Sequence, residues 1–384
     1  MTTQSMTAPQ QGSGTMLLGL GAIGLVVSLG IVLFNLMSEG HRAFGTSSLL
    51  PWGLPVSTYV FFVLTSTGLT FVASLAMVFG INGFYPIAKR CIWLAAATLI
   101  AGFASLGMEI GHPFRMLWAL PFSFQVASAM WWMGVFYTIY LILLLLKFQR
   151  INAGDWDSGA SRNLGIASFV SVVLAHGTLG LVFGMMAMRP FWYDGLVPMY
   201  FLVTAALSGA AFAILFTYLA YGFSQDNMPA DTRALMVGAM PKAFAATIGV
   251  AGLFVIFRTI SGLWSNLEGL EVFQMQAGSL LFHIELWLGL VVPFVLMTMA
   301  GTRNQANMQT LAAALVIVGL FIGRYEFVVG GQIVPLFKGL WQQGFVPYTP
   351  SLSEWMLVLL AVSITLFGFG LGEKLFRMAD SPRD

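Results

Sequence analysis

Ten long apolar runs, separated by short polar or aromatic segments, limit this chain to very few folds. They lie at about 16–38, 57–79, 91–109, 128–148, 163–188, 197–222, 242–264, 275–300, 307–327 and 353–376. A membrane-spanning helix needs about 20 apolar residues, and each run is close to that length. Only 8% of the 384 residues are charged, against about 25% in a soluble domain. The deficit is spread over the whole length, which reads as an integral membrane protein rather than a soluble one with an anchor. Strand-like alternation is absent, which argues against a transmembrane barrel. The expected fold is all-α: a polytopic bundle of about ten transmembrane helices filling residues 16–376. An even number of spans puts both termini on one side.

The flanking pieces and the composition exclude several classes. Residues 1–15 are rich in Thr, Gln and Ser and carry no charge. They lack the basic start of a signal peptide and read as a disordered cytoplasmic tail, with 377–384 as a second short tail. Cys91 is the single cysteine, too few for a disulfide framework or a cysteine-ligated iron–sulfur cluster in this chain. The GLGAIG piece at 19–24 lies inside an apolar run, so its glycines read as packing positions and not as a phosphate loop. A net charge of +2 gives no reason to expect nucleic acid.

Orientation is read from lysine and arginine. With the N-terminus inside, Lys89, Arg90, Lys147, Arg150, Arg162, Arg233, Lys242, Arg303, Lys374, Arg377 and Arg383 fall on the cytoplasmic side. Arg42, Arg115, Arg189, Arg324 and Lys338 fall on the outer side, and Arg258 lies within a span. The bias predicts cytoplasmic termini. The inner connections are ordinary polar loops. The outer ones, 40–56, 111–125 and 328–350, are rich in Trp, Pro, Gly and Phe, including Trp341, Phe345 and Tyr348. They read either as an interfacial belt or as folded surface that buries a partner.

The stretch LPWGLPVSTYVFFVLTSTGLTF at 50–71 looks like a shaped entrance to the membrane. Trp52 and Tyr59 have the amphipathic rings that settle at a membrane–water boundary. Ser57 or Thr58 is a candidate helix cap. Ser66, Thr67 and Gly68 are small enough for a second helix to approach closely.

Ionisable groups in or beside a span are costly and call for a partner or a task. Asn35, Glu39, His41 and Arg42 end the first span, and Glu109, His112 and Arg115 end the third. Arg258 lies near the outer end of the seventh, His283 and Glu285 in the outer half of the eighth, and Arg324, Tyr325 and Glu326 at the end of the ninth. All of these fall in the outer half; only His176, near the middle of the fifth span, does not. Acids, bases and a cation at one depth suit a quinol, which gives up two protons with its two electrons. Imidazole and carboxylate accept those protons near neutral pH, and Arg258 or Arg324 would stabilise the anion between.

Structural readings stand beside the functional ones. Glu39/Arg42 and Arg324/Glu326 read equally as ion pairs at helix ends. His112, in GHPFR, reads equally as a turn residue. His283 and Glu285 are two apart, so at most one faces a cavity. His176 reads first as a packed core histidine. A secondary transporter would carry polar groups at the midplane on interrupted helices, and the midplane looks nearly bare apart from His176 and scattered Gly, Ser and Thr. A bis-histidine haem would need facing histidines, and His176 and His283 sit at different depths.

The motifs carry a family resemblance. LPWGLPVSTYVFF at 50–62, EIGHPFR at 109–115, RYEFVVGGQIVP at 324–335 and YTPSLSEW at 348–355 together resemble the NrfD/polysulfide-reductase membrane subunits of ten-span type. The resemblance implies a core of two four-helix bundles without haem or metal. It implies a multi-pass subunit of the bacterial inner membrane that binds menaquinone or ubiquinone. Electrons would pass between the quinone pool and an iron–sulfur partner, and on to a catalytic subunit of molybdopterin or multihaem type. Carried over by position, with the ionisable groups above, the quinone and proton-transfer candidates are Asn35, Glu39, His41, Tyr59, Glu109, His112, Arg258, His283 and Arg324. His176 is the one candidate for a proton path. The family's inner-half path residues find no match here beyond His176, which leaves open whether protons cross the membrane or are exchanged with the outer side.

Overall fold

The computed structural model describes residues 11–265, 269–336 and 344–382. It holds ten helices long and apolar enough to cross a membrane, one for each expected run. In order they are α1 (Gln11–Glu39), α2 (Leu54–Met77), α3 (Tyr85–Glu109), α5 (Ala129–Asn152), α6 (Gly159–Gly184) and α7 (Val197–Ala220). The seventh span joins α8 (Ala230–Val237) to α9 (Ala239–Trp264). The eighth joins α11 (Leu280–His283), a π-helical stretch (Ile284–Val291) and α12 (Val292–Thr298). The last two are α13 (Ala306–Gly330) and α14 (Leu352–Leu375). Two short helices, α4 (Pro113–Phe122) and α10 (Glu271–Ala277), lie in connections, and no strand occurs among the described residues.

The chain ends differ from expectation. Helix α1 begins at Gln11, so the last residues of the expected 1–15 tail are helical; residues 1–10 lie outside the described residues, as do Lys338, Trp341 and Arg383. At the other end the chain folds back. Phe376 packs on Trp93 and Phe148, Met378 is buried, and Asp380 pairs with Lys89 at 3.2 Å.

Two rings of four helices form the core. Helices α2, α3, α5 and α6 close the first; α7, α9, the eighth span and α13 close the second. Helices α1 and α14 pack along each other, and α14 leans on α3. Their glycines serve this contact, with Gly21 against Phe367 and Gly24 against Ser363. Helix α2 touches both rings, and all of it except Phe71 and Leu75 is buried. A helix that is apolar all round is suited to such a central position.

The rings meet backbone to backbone. Gly68 of α2 lies on Ala205 and Gly209 of α7, and Thr65 Oγ1 meets Ser208 Oγ at 2.5 Å one turn away. Small residues permit this approach where no water-driven force pulls helices together. A side chain at position 209 would meet the main chain of Gly68, which cannot rotate aside. Gly209→Leu is therefore expected to cost about 3 kcal/mol or more, read as a lower unfolding temperature in detergent. Gly19→Leu, where an added Cβ meets nothing within 4 Å, is the matched control.

The entrance at 50–59 is built differently from its sequence reading. Gly53 is the N-cap of α2 and Pro55 stands in the first turn, where its missing N–H costs nothing. Ser57 and Thr58 do not cap; their hydroxyls donate back to the carbonyls of Gly53 and Leu54. Trp52 and Tyr59 are not interfacial rings. Trp52 packs between Phe183 and Trp192, and Tyr59 is buried against Phe103.

Basic residues counted as loop charges at the terminus-bearing end also enter the bundle. Arg90 donates to Glu373 at 2.6 Å beneath the Tyr221 ring, and Lys147 donates to Ser161 Oγ at 2.7 Å and to the Trp156 and Ser161 carbonyls. Both are buried, as is Lys89. Each has the partner that burial of a cation demands.

Candidate functional site

Two groups of polar side chains occupy the end of the bundle opposite the termini, one at the lip of each ring. The first gathers around Glu354. Its SxxE start, Ser351 to Glu354, is a capping box: Glu354 Oε2 accepts from the Ser351 N–H at 2.6 Å, and Ser351 Oγ accepts from the Glu354 N–H at 3.3 Å. The same carboxylate accepts from the Gly45 N–H at 3.0 Å and the Tyr348 hydroxyl at 2.6 Å; Tyr348 in turn accepts from the Leu54 N–H at 2.6 Å. Burial and the Glu354 carboxylate push the Tyr348 phenol well above its ordinary range, so it remains a donor at neutral pH. Glu354 thus fastens the loop after α1, the start of α2 and the start of α14 to one another.

Glu109 faces this knot from the end of α3, near the Gly53 amide and Glu354. Both of its carboxylate oxygens are buried, and although the Gly53 N–H is directed at the carboxylate, neither oxygen accepts a hydrogen bond of ordinary geometry among the described residues. Buried acceptors are almost always paired, so this carboxylate is short of a donor. The His41 ring lies over Gly111, two residues beyond Glu109. Asn35 Nδ2 donates to Ser353 Oγ at 2.9 Å, beside Glu354. Of the candidates, Asn35, His41 and Glu109 therefore meet at this lip. Glu39 and His112 are exposed; His112 shapes the start of α4 only through its carbonyl, which accepts from the Arg115 N–H. No Glu39–Arg42 ion pair forms among the described residues.

Inside the first ring, His176 and the scattered Ser and Thr hydroxyls are joined to tyrosines in a network. The Tyr59 hydroxyl reaches Met133 Sδ at 3.6 Å and lies beside Tyr137. The Tyr137 hydroxyl meets His176 Nε2 at 3.1 Å, and the fully buried His176 also contacts Thr67 Oγ1 and, through Nδ1, the Val172 carbonyl. Tyr140, Ser66 and Thr70 form a second knot nearby, with the Tyr140 hydroxyl 2.9 and 2.6 Å from the other two. Hydroxyls of Ser, Thr and Tyr supply this polarity without charge, and no periodic signal in the sequence pairs them. His283 is exposed beside Phe282 at the start of the eighth span. With the ring nitrogens of His176 engaged and His283 in the other ring of helices, the two do not form a facing pair.

The lip of the second ring holds the arginines. Arg324 is buried between Tyr200 and Phe201, and its Nη2 donates to Thr204 Oγ1. It turns away from Glu326, whose Oε1 accepts from Ser279 Oγ at 2.9 Å; residues two apart on a helix face different ways. The expected Arg324/Glu326 ion pair is absent among the described residues. Glu285 is buried against Gly323, where any side chain would overlap its carboxylate, and Arg324, Arg258 and Glu326 surround it. It stands in the π-helical stretch, a form that recurs at functional sites because it re-aims side chains within a helix. Arg258 lies over Phe191, Phe273 and Phe327 and donates to the Phe191 carbonyl at 3.2 Å. It stands between a polar chamber of about 20 Å³, which also reaches Glu285 and Glu326, and a cavity of about 530 Å³.

Sequence reasoning did not single out Glu354, Gln332, Tyr200 or Thr204. The capping box was a legible signal for Glu354. Gln332 exchanges hydrogen bonds with the main chain of Trp52 at 2.9 and 2.8 Å, and no local pattern announces it. The aromatic connection at 110–128 leaves Phe114, Trp118, Phe122 and Phe124 exposed.

Eight apolar spans in two rings of four, two more packed alongside, buried acids at the lip of each ring and buried arginines at the second define a polytopic helical membrane protein with a polar distal end. The family model described as polysulphide reductase, NrfD, matches residues 43–335, and the chain belongs to that family. It is 24% identical to the Hdr-like menaquinol oxidoreductase integral membrane subunit of Archaeoglobus fulgidus, over 87% of this chain and 86% of that one. It is 21% identical to the menaquinone reductase integral membrane subunit of Nitratidesulfovibrio vulgaris, over 84% and 82%. A selenate reductase subunit of Mesobacillus selenatarsenatis is 25% identical, over 90% and 92%.

Proposed function

We propose that this chain is the quinone-reactive, membrane-anchoring subunit of a multisubunit respiratory oxidoreductase of the bacterial inner membrane. Both termini face the cytoplasm in this reading. An iron–sulfur subunit docks on the distal end, over the exposed aromatics of 110–128, and hands electrons to or from a molybdopterin or multihaem catalytic subunit. The names of the relatives support the quinone. The observation that carries the site is the Glu109 carboxylate, buried at the first lip with two oxygens that lack a donor.

A bound menaquinol or ubiquinol supplies a carrier of two electrons and two protons. Glu109 accepts a hydrogen bond from a hydroxyl and takes its proton as the electron departs. His41, exposed over Gly111, passes protons to water at the rim. Asn35 and Ser353 position this edge, and Glu354 and Tyr348 fix the main chain around it. Tyr59, Tyr137 and His176 form a hydroxyl and imidazole row deeper in the ring, the candidate path for a proton through it.

The test is purification with the neighbouring subunits. Bound quinone and quinol oxidation coupled to the iron–sulfur partner are expected; a quinone-free, inactive preparation overturns the reading. Tags at the two termini are expected to be reachable only from the cytoplasm. Termini in the periplasm would put the lip on the wrong side for an extracytoplasmic partner.

A further inference from the structure

The cavity of about 530 Å³ lies between the distal ends of α7 and α9, outside the first lip and in the other ring of helices. Its volume falls within the range of small-molecule sites, roughly 300–1,000 Å³. Its outer wall is bilayer-facing: Val250, Leu253 and Phe257 are exposed apolar side chains of α9. Its inner end is polar. Arg258 stands there, with Tyr200 beside it and Asp194 at the rim.

Arg258 makes no ion pair among the described residues; it touches the Phe191 carbonyl and three ring faces. A cation within a span ordinarily meets a carboxylate, a carbonyl or a ligand. A phosphate headgroup would satisfy the arginine but would also meet the Asp194 carboxylate. A neutral ring with carbonyl oxygens avoids that repulsion. Its oxygen accepts from Arg258, its face packs against the aromatic wall, and its tail leaves along Val250, Leu253 and Phe257 into the lipid.

We propose that this groove is a second binding site for an isoprenoid quinone, separate from the Glu109 lip. It rests on the reading of the chain as quinone-interacting, and it is a binding site only, with no reaction assigned to it. A molecule held here stands at the mouth of the chamber of Glu285 and Glu326.

The test is native mass spectrometry of the purified full chain titrated with a short-tailed naphthoquinone. Two bound molecules per chain are expected. Leu253→Trp, on the lipid-facing wall, fills the groove without entering the core and is expected to remove one of them. Arg258→Gln is expected to weaken that same site about tenfold, and Glu109→Leu, which leaves no acceptor at the lip, is expected to remove only the other molecule. A single bound molecule lost in Glu109→Leu but kept in Leu253→Trp overturns the groove proposal and leaves the lip reading standing. A single molecule with the opposite pattern supports the groove and overturns the lip. A bound phospholipid displaced by Leu253→Trp, with no naphthoquinone at that site, overturns the proposal in favour of a lipid groove.

Discussion

Glu109→Gln is expected to slow quinol oxidation by roughly a hundredfold or more while leaving the protein folded. The reasoning starts from shape. Glutamine keeps the volume of the side chain at the end of α3, so Gly53 and Glu354 need not move. What is lost is the ability to hold a proton. The carboxylate has two buried oxygens without a donor, and only one of them survives as an acceptor in the amide. Quinol binding is therefore expected to change severalfold at most, whereas the turnover number falls. Loss of turnover with an unchanged KM marks an interaction made in the transition state. A fall of less than about tenfold in turnover would remove Glu109 from proton transfer. The measurement is stopped-flow oxidation of a short-chain quinol by the complex, with bound quinone quantified in the same preparation.

The second large effect is structural. Glu354→Ala is expected to destabilise the protein by about 3 kcal/mol, because it removes the buried, charged acceptor that three part-buried donors share. The Gly45 and Ser351 amides and the Tyr348 hydroxyl all lose their acceptor. Ser351→Ala removes only the cap and is expected to cost about 1 kcal/mol. Thermal unfolding in detergent separates the two. Equal shifts for both variants would mean that Glu354 acts as a helix cap and nothing more. Because the knot holds Gly53 beside Glu109, Glu354→Ala is also expected to lower quinol oxidation in whatever fraction remains folded.

The fold was legible because its cause is one-dimensional. A run of about 20 apolar residues has one outcome in a bilayer, and the ten runs became ten spans. The close approach at Gly68 was also legible, since small residues permit it wherever it is needed. What failed depended on direction around a helix and on partners distant in sequence. Trp52 and Tyr59 look interfacial by type, yet the loop before α2 packs Trp52 on Phe183 and Trp192, and the central α2 turns Tyr59 inward. Arg324 and Glu326 look like a pair by proximity, yet helical geometry sends one to Thr204 and the other to Ser279. Lys89, Arg90 and Lys147 count as loop charges in a sidedness argument, while the fold draws their stems into the bundle.

The candidate residues divide along the same line. Asn35, His41 and Glu109 come together because three helix ends and one loop happen to share a rim. Glu39, His112 and His283 stand at the same depth but remain at the surface, since depth in the membrane says nothing of azimuth. The polar row through Tyr137, His176 and Thr67 was hidden by chemistry instead. Hydroxyls add little to a hydropathy average, and only assembly of α2, α5 and α6 reveals them as a network.

The glycine seam between α2 and α7 has a mechanical consequence. Rocking transporters move one half of the molecule against the other about a substrate held between them. Here the halves are keyed together main chain to main chain at Gly68 and Gly209, and Phe61 and Phe183 interlock with Phe212, Phe201 and Phe327 beside that point. Tilting one half would prise the peptide units apart or drive them into each other. A seam of this kind suits a plinth better than a pump with moving jaws.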